Sequence, residues 1–224
     1  MPKQAVSAVR NMPVEKMKIV AEHRALDMLG ALLGLLLAAP LMLASALVIR
    51  LVMGSPVLFR QVRVGRDERP FTLHKFRTMN EARDAQGELL PASARLTRLG
   101  RCLRYLSLDE LPQLWNVLIG DMSLVGPRPL HLQYLPYYTD RERRRHLVRP
   151  GLTGLAQVSG RNSLGWDERL EMDARYVETR SVALDLQILW RTARKVVDRS
   201  DVRDTPVEGS LADHRGGLVS REPG

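Results

Sequence analysis

A single cysteine, Cys102, occurs in the 224 residues. That excludes an intrachain disulfide and any cysteine-based metal site, and it fits a reducing, cytosol-facing location. Aromatic residues make up only 5%, too few stacking platforms for single-stranded nucleic acid. Acids are in the minority, with 25 Asp+Glu against 34 Lys+Arg, a formal charge of +9 and a sequence pI near 10.3. This balance favours anionic partners such as phospholipid surfaces, nucleic acid or phosphorylated small molecules. Internal repeats are absent. A hydrophobic content of 45% is ordinary for a globular chain and excludes a polytopic membrane protein.

Only one long apolar run is present. Residues 28–49, MLGALLGLLLAAPLMLASALVI, carry no charge. As a helix they extend about 30 Å, enough to cross a bilayer core. A long polar stretch precedes them and no cleavage pattern follows, so the run is no signal peptide. Pro40 lies near its middle, removing one backbone hydrogen bond and predicting a break or kink. Lys3, Arg10, Lys16, Lys18 and Arg24 precede the run, and Arg50, Arg60, Arg63 and Arg66 follow it. The positive-inside rule places both flanks in the cytoplasm. A helix that enters one leaflet and returns satisfies this, whereas a spanning helix does not. The re-entrant reading is preferred over a true span, and over a buried core helix, because the run is apolar all round.

The rest of the chain reads as a small α/β domain. Residues 1–23 form a polar N-terminal segment, 24–53 the membrane helix region, 54–200 the soluble domain and 201–224 a patternless, disordered tail. Residues 57–64 and 71–79 predict a β-hairpin around GRDERP. Lys75 and Arg77 fall on one face of its second strand, placed to clamp a diphosphate or simply to face solvent. Residues 96–106 predict an amphipathic helix with Arg98, Arg101 and Arg104 along one stripe. Helices are also predicted over 166–177 and 183–197, the latter with Trp190 near its polar boundary, as in a helix lying in a membrane interface.

The segment SLDELPQLWNVLIGDMSLVGPRP, residues 107–129, carries the chemistry. Ser107 and Glu110 match a capping box, but Pro112 would then fall at the fifth helical position and clash one turn back. Starting the helix near Leu111 puts Pro112 at its favoured first position. Asp109 and Glu110 then stand just before the helix, where backbone N–H groups also receive phosphate. Two acids this close suit a Mg²⁺ ion that bridges to substrate phosphates. Their mutual repulsion raises the pKa of one of them. Arg128, between Pro127 and Pro129, is held extended and loses little entropy on binding phosphate.

Taken in order, these pieces resemble the bacterial monotopic phosphoglycosyl transferases, the polyprenyl-phosphate sugar-1-phosphate transferases. The likeness runs over residues 23–201. It rests on HRALD, Pro40, SPVLFRQVRVG, FTLHKFRTM, RYLSLDELPQLWNVLIGDMSLVGPRP, RPGLTGLAQVSGRN and the region from Tyr176 to Asp185. The small single-domain type is the one matched. The resemblance implies a Mg²⁺-dependent transfer of sugar-1-phosphate from a UDP-sugar to undecaprenyl phosphate, on the cytoplasmic face of the bacterial inner membrane. It makes Asp109 the nucleophile of a covalent phosphosugar intermediate and Glu110 the second acid, with either acid a candidate Mg²⁺ ligand. It gives Lys75, Arg104 and Arg128 phosphate contacts and makes Pro40 the break of a re-entrant helix. Gln157, Arg161 and Asn162 are candidate sugar or nucleotide contacts. Two departures stand out: His23 replaces a frequent Lys, weakening an interfacial anchor, and GRDERP is more charged than the usual Gly-rich turn. The sugar stays open, with the small type leaning to an N-acetylated one, and so does the oligomeric state, a homodimer included. A different class of function, a membrane-anchored basic module binding anionic lipid or nucleic acid without chemistry, also fits the charge.

Overall fold

In the computed structural model, residues 14–160, 164–198 and 210–219 are described. The uncharged run lies within a long helix, α1 (Val14–Met53). Its portion from His23 to Met53 is long and apolar enough to cross a membrane. The helix continues through Pro40 without interruption, so the predicted break is not present in the secondary structure. The proline costs one internal bond while the turns on either side stay helical.

Strands β1 (Leu58–Val64) and β2 (Pro70–Phe76) form the predicted antiparallel hairpin, with Leu58 opposite Phe76 and Val64 opposite Pro70. Helix α2 (Arg98–Tyr105) begins at Thr97, whose side chain accepts from the Gly100 N–H at 2.9 Å. Ser107 then takes a left-handed conformation, φ 55°, and Leu108–Glu110 make one 3₁₀ turn. Helix α3 (Gln113–Ile119) follows Pro112 and ends at Gly120, whose φ of 97° suits a residue without Cβ. The Ser107 capping box is therefore not formed, and the acids precede the helix as the position of Pro112 requires.

A second pairing has no counterpart in the sequence reading. Short strands β3 (Ser123–Val125) and β4 (Gly151–Thr153) run parallel. A Cβ on Gly151 would collide with the main-chain N of Gly126, so both glycines are needed for the two turns to approach. Gly126 N–H donates to Thr153 O and Gly151 N–H to Pro127 O, each at 2.9 Å. This fixes the Gly-Pro-Arg-Pro turn that carries Arg128. Helices α4 (Leu155–Ser159), α5 (Trp166–Thr179) and α6 (Val182–Asp198) complete the domain.

The tail reading needs correction over one stretch. Residues Leu211–Val219 form a helix, α7. Ser210 and Asp213 exchange hydrogen bonds at its start, and fully buried Leu211 joins Leu130, Tyr134, Tyr138, Trp166 and Leu170 in one core cluster. Burial of one leucine and an N-terminal cap hold a segment that has no apolar periodicity.

Both ends of the apolar run pack on the same domain. Near the N-terminal end, Ala31 packs with Leu73, Val117 and Met122. Arg24 donates to Val117 O at 2.7 Å and Leu118 O at 2.8 Å, capping the carbonyl end of α3. Asp27 accepts from the Ser123 hydroxyl and the Leu124 N–H, both at 2.8 Å. At the other end Ile49 packs with Phe76 and Leu103. The face of α1 turned away from the domain is apolar and open, with Leu36, Leu37, Leu43 and Leu51 all exposed. His23 is buried 3.3 Å from Asp185. Its role is an internal contact, which corrects the expectation of a weakened interfacial anchor.

Candidate active site

The 3₁₀ turn delivers Asp109 and Glu110 to one wall of an open cleft of about 660 Å³. Opposite walls come from β2, which supplies Lys75, from the last turn of α2, which supplies Arg104, and from the rigid turn after β3, which supplies Arg128. Arg63, Lys75, Arg77, Arg83, Arg95, Arg104, Arg128 and Arg169 line the cleft against Glu81, Asp109, Glu110 and Asp173. The excess of cations selects for an anionic occupant.

Glu110 is the electrostatic hub. Lys75 Nζ donates to its Oε1 at 2.7 Å and Arg128 Nη2 to the same oxygen at 2.9 Å. Burial alone would push this carboxyl up, but Arg128 and Lys75 outweigh it and hold Glu110 well below the usual glutamate range. Asp109 behaves in the opposite way. It is 8% exposed, and burial, reinforced by the neighbouring Glu110 charge, raises its pKa against the pull of Lys75, Arg104 and Arg128. Arg104 Nε donates to the Thr78 hydroxyl at 3.1 Å, which holds it at the rim.

Lys75, Arg104, Arg128, Asp109, Glu110 and Gln157 are thus brought to one cleft. Arg77 reaches the cleft wall, but its guanidinium donates to the carbonyls of Met53, Gly54 and Ser55. The expected two-cation clamp of Lys75 and Arg77 is not formed, because Arg77 lies past the end of β2 and caps the carbonyl end of α1. Arg161 and Asn162 lie outside the described residues.

The sequence reading missed the support behind Arg128. Buried Arg145 donates to Asp173 Oδ2 at 2.7 Å and, through the same Nη2, to the Arg128 carbonyl at 2.7 Å. Nothing in the basic run RERRRH marks Arg145 as different from its neighbours. Asp173 lies on the buried face of α5, and a lone acid on a buried helix face is the available hint.

No group of three or more His, Cys, Asp or Glu side chains placed to hold a metal occurs among the described residues. The Asp109–Glu110 pair still fits a Mg²⁺ that takes one or two carboxylates and completes its shell with water and substrate phosphates. Both ion pairs use Glu110 Oε1, so Oε2 and the Asp109 carboxylate are the oxygens suited to a cation.

One apolar helix seated on a small mixed domain, with a cation-rich cleft around two carboxylates, describes a membrane-associated enzyme of phosphorylated substrates. Sequence comparison gives the same class. The model of the bacterial sugar transferase family matches residues 18–199, and the chain belongs to that family. It is 51% identical over 182 residues to the uncharacterized sugar transferase EpsL of Bacillus subtilis, covering 81% of this chain and 90% of that protein. It is 43% identical over 192 residues to a UDP-glucose:undecaprenyl-phosphate glucose-1-phosphate transferase of Caulobacter vibrioides, covering 80% and 71%. It is 40% identical over 183 residues to a UDP-N-acetylgalactosamine-undecaprenyl-phosphate N-acetylgalactosaminephosphotransferase of Aeromonas hydrophila, covering 78% of this chain but 43% of that longer protein.

Proposed function

We propose that this protein transfers a sugar-1-phosphate from a UDP-sugar to undecaprenyl phosphate, through a covalent intermediate on Asp109. The observation that carries this reading is the contrast between the two adjacent acids. Asp109 is the more basic carboxylate, faces the cleft and has cations around it. Glu110 is already committed to Lys75 and Arg128. The names of the relatives supply the donor and acceptor classes.

In the first displacement an Asp109 oxygen attacks the sugar-bearing phosphorus. The bond to the bridging oxygen breaks and UMP leaves. In the second, a phosphate oxygen of the lipid acceptor attacks the same phosphorus and the Asp109 carboxylate is released. Each step exchanges one P–O bond for another, so no oxidant or external proton source is needed. Lys75, Arg104 and Arg128 bind and orient the phosphates. Prearranged charge of this kind supplies most of the catalysis in phosphoryl transfer. Glu110 fixes Lys75 and Arg128 in place. Glu110 Oε2 and Asp109 would hold Mg²⁺, which when bound neutralises charge on the donor phosphates.

The membrane reading follows from α1. Both of its anchored ends, Arg24–Asp27 and Ile49–Met53, belong to one soluble domain that follows the helix. Two ends held on one body lie on the same side of the bilayer, which argues against a span and supports a helix whose open apolar face enters one leaflet. The positive flanks favour the cytoplasmic face of the inner membrane for the domain. Exposed Trp115 and Ile119 on α3 and Leu186 and Trp190 on α6 add apolar surface at headgroup depth.

The test is UMP release by detergent-solubilised protein given undecaprenyl phosphate, Mg²⁺ and a panel of UDP-sugars. UMP from one donor, abolished by Asp109→Asn, is expected. An Asp109→Asn variant as active as the wild type overturns the assignment.

A further inference from the structure

Asp109 lines the cation-rich cleft, whereas a second cavity, about 250 Å³, reaches Glu110 of the Asp109–Glu110 dyad. Its lining is mainly apolar, from Leu111, Leu124, Leu152, Leu189 and Val196. It shares Ser107, Glu110, Arg128 and Gln157 with the cation-rich cleft. The two spaces therefore meet at one wall, with phosphate chemistry on one side and hydrocarbon chemistry on the other. A single ligand carrying a phosphate at one end and an apolar chain at the other fits across that wall.

We infer that this pocket takes the first isoprene units of the acceptor, while its phosphate lies across the shared wall in the cation-rich cleft. The inference rests on the proposed reaction for the identity of the acceptor. Its position comes from the geometry. One side of the pocket is built by Leu189, Thr192, Lys195 and Val196 of α6, the helix that also exposes Leu186 and Trp190. A chain leaving along α6 meets those apolar side chains, with Lys195 beside its phosphate end. The wall carries one more mark of a ligand. Neither Oε1 nor Nε2 of the buried Gln157 amide has a hydrogen-bond partner among the described residues. The Nε2 of this amide is placed to donate to a ligand oxygen at the shared wall. Arg128, reaching the same wall, supplies the charge for the phosphate.

The in-line geometry of phosphoryl transfer brings the lipid phosphate to the place the UMP phosphate vacates, opposite Asp109, so the phosphate enters the cleft while the isoprene units fill the pocket.

The experiment is photolabelling of the full chain, in detergent micelles, with an isoprenyl phosphate bearing a diazirine in its second isoprene unit. Peptides would be mapped by mass spectrometry, with UMP release from UDP-sugars followed in the same preparation. Labels on the peptides carrying Leu189 and Val196, reduced at least fivefold in Val196→Trp, are expected. Leu111→Gln serves as a second variant that makes the lining polar from a different element, with the same loss expected. Labels confined to the hairpin side of the cleft or to the open face of α1 would overturn the inference. So would unchanged labelling of Leu189 and Val196 in both folded variants. Labelling of the pocket without UMP release from any donor would keep the pocket and remove the transferase reading. UMP release with labels elsewhere would do the reverse.

Discussion

Asp109 and Glu110 are neighbours in sequence whose acidities are driven in opposite directions. Burial and the Glu110 charge raise Asp109, while Arg128 and Lys75 overcome burial and depress Glu110. Splitting a pair of carboxylates in this way assigns them different work. The raised member makes the stronger nucleophile once ionised, and the depressed member keeps its charge to hold two cations.

The split sets the pH dependence. UMP release needs ionised Asp109, so activity falls as pH drops through a value above the ordinary aspartate range. Glu110 stays ionised throughout that window. A pH–rate profile of the first step should show one acid limb, assignable to Asp109. A limb at or below the usual aspartate value would contradict the raised Asp109 pKa.

The same split has a stability consequence. A raised folded-state pKa contributes stability below the unfolded pKa, and that contribution is lost as pH rises through the folded pKa. At neutral pH ionised Asp109 is therefore a cost to the fold. Asp109→Asn should raise the melting temperature while abolishing UMP release. Glu110→Gln should do the opposite to stability. Its folded pKa is depressed, so its contribution is present above the usual glutamate range and is lost as pH falls below it. Losing the charged acceptor shared by Lys75 and Arg128 should cost about 1–3 kcal/mol at neutral pH. Thermal unfolding of both variants at pH 7 and at pH 4 checks the signs.

Arg145 should act through Arg128. It holds the Arg128 carbonyl at 2.7 Å and is itself held by Asp173. Arg145→Lys keeps the charge but loses the fork that makes these contacts. A displacement of Arg128 by about 1 Å should lower kcat by up to about 100-fold, with a smaller change in KM for the donor. Equal kcat for the two proteins would limit Arg145 to packing.

The pins on α1 should matter to the fold as a whole. Arg24→Ala strands the Val117 and Leu118 carbonyls and should cost about 1–3 kcal/mol. For a domain of this size each kcal/mol lowers the melting temperature by about 2–4 °C. Unchanged melting in detergent would mean that the helix docks without these bonds.

Much of this arrangement was legible in the sequence because it rests on local rules. The hairpin followed from alternation and turn residues, and the placement of the acids followed from Pro112. Three things were not legible, each for a physical reason. Strands β3 and β4 are three residues each and lie about 25 positions apart, too short to show a pattern. Arg77 and Lys75 share a strand face in sequence, but the strand ends at Phe76 and only Lys75 turns to the dyad. Helix α7 is held by Leu211 in a remote cluster, a tertiary contact that no periodicity announces. Arg24, Asp27 and Arg145 likewise gain their roles from carbonyls and hydroxyls distant in sequence.

The central claim is the covalent intermediate, and the most direct measurement is intact-protein and peptide mass spectrometry after acid quench. The protein would be incubated with its UDP-sugar and Mg²⁺ in the absence of any lipid phosphate. A sugar-phosphate adduct on the peptide containing Asp109, with about one UMP released per adduct, is the result this account predicts. UMP appearing only when the lipid phosphate is present, with no adduct at any time, would indicate direct transfer and contradict it.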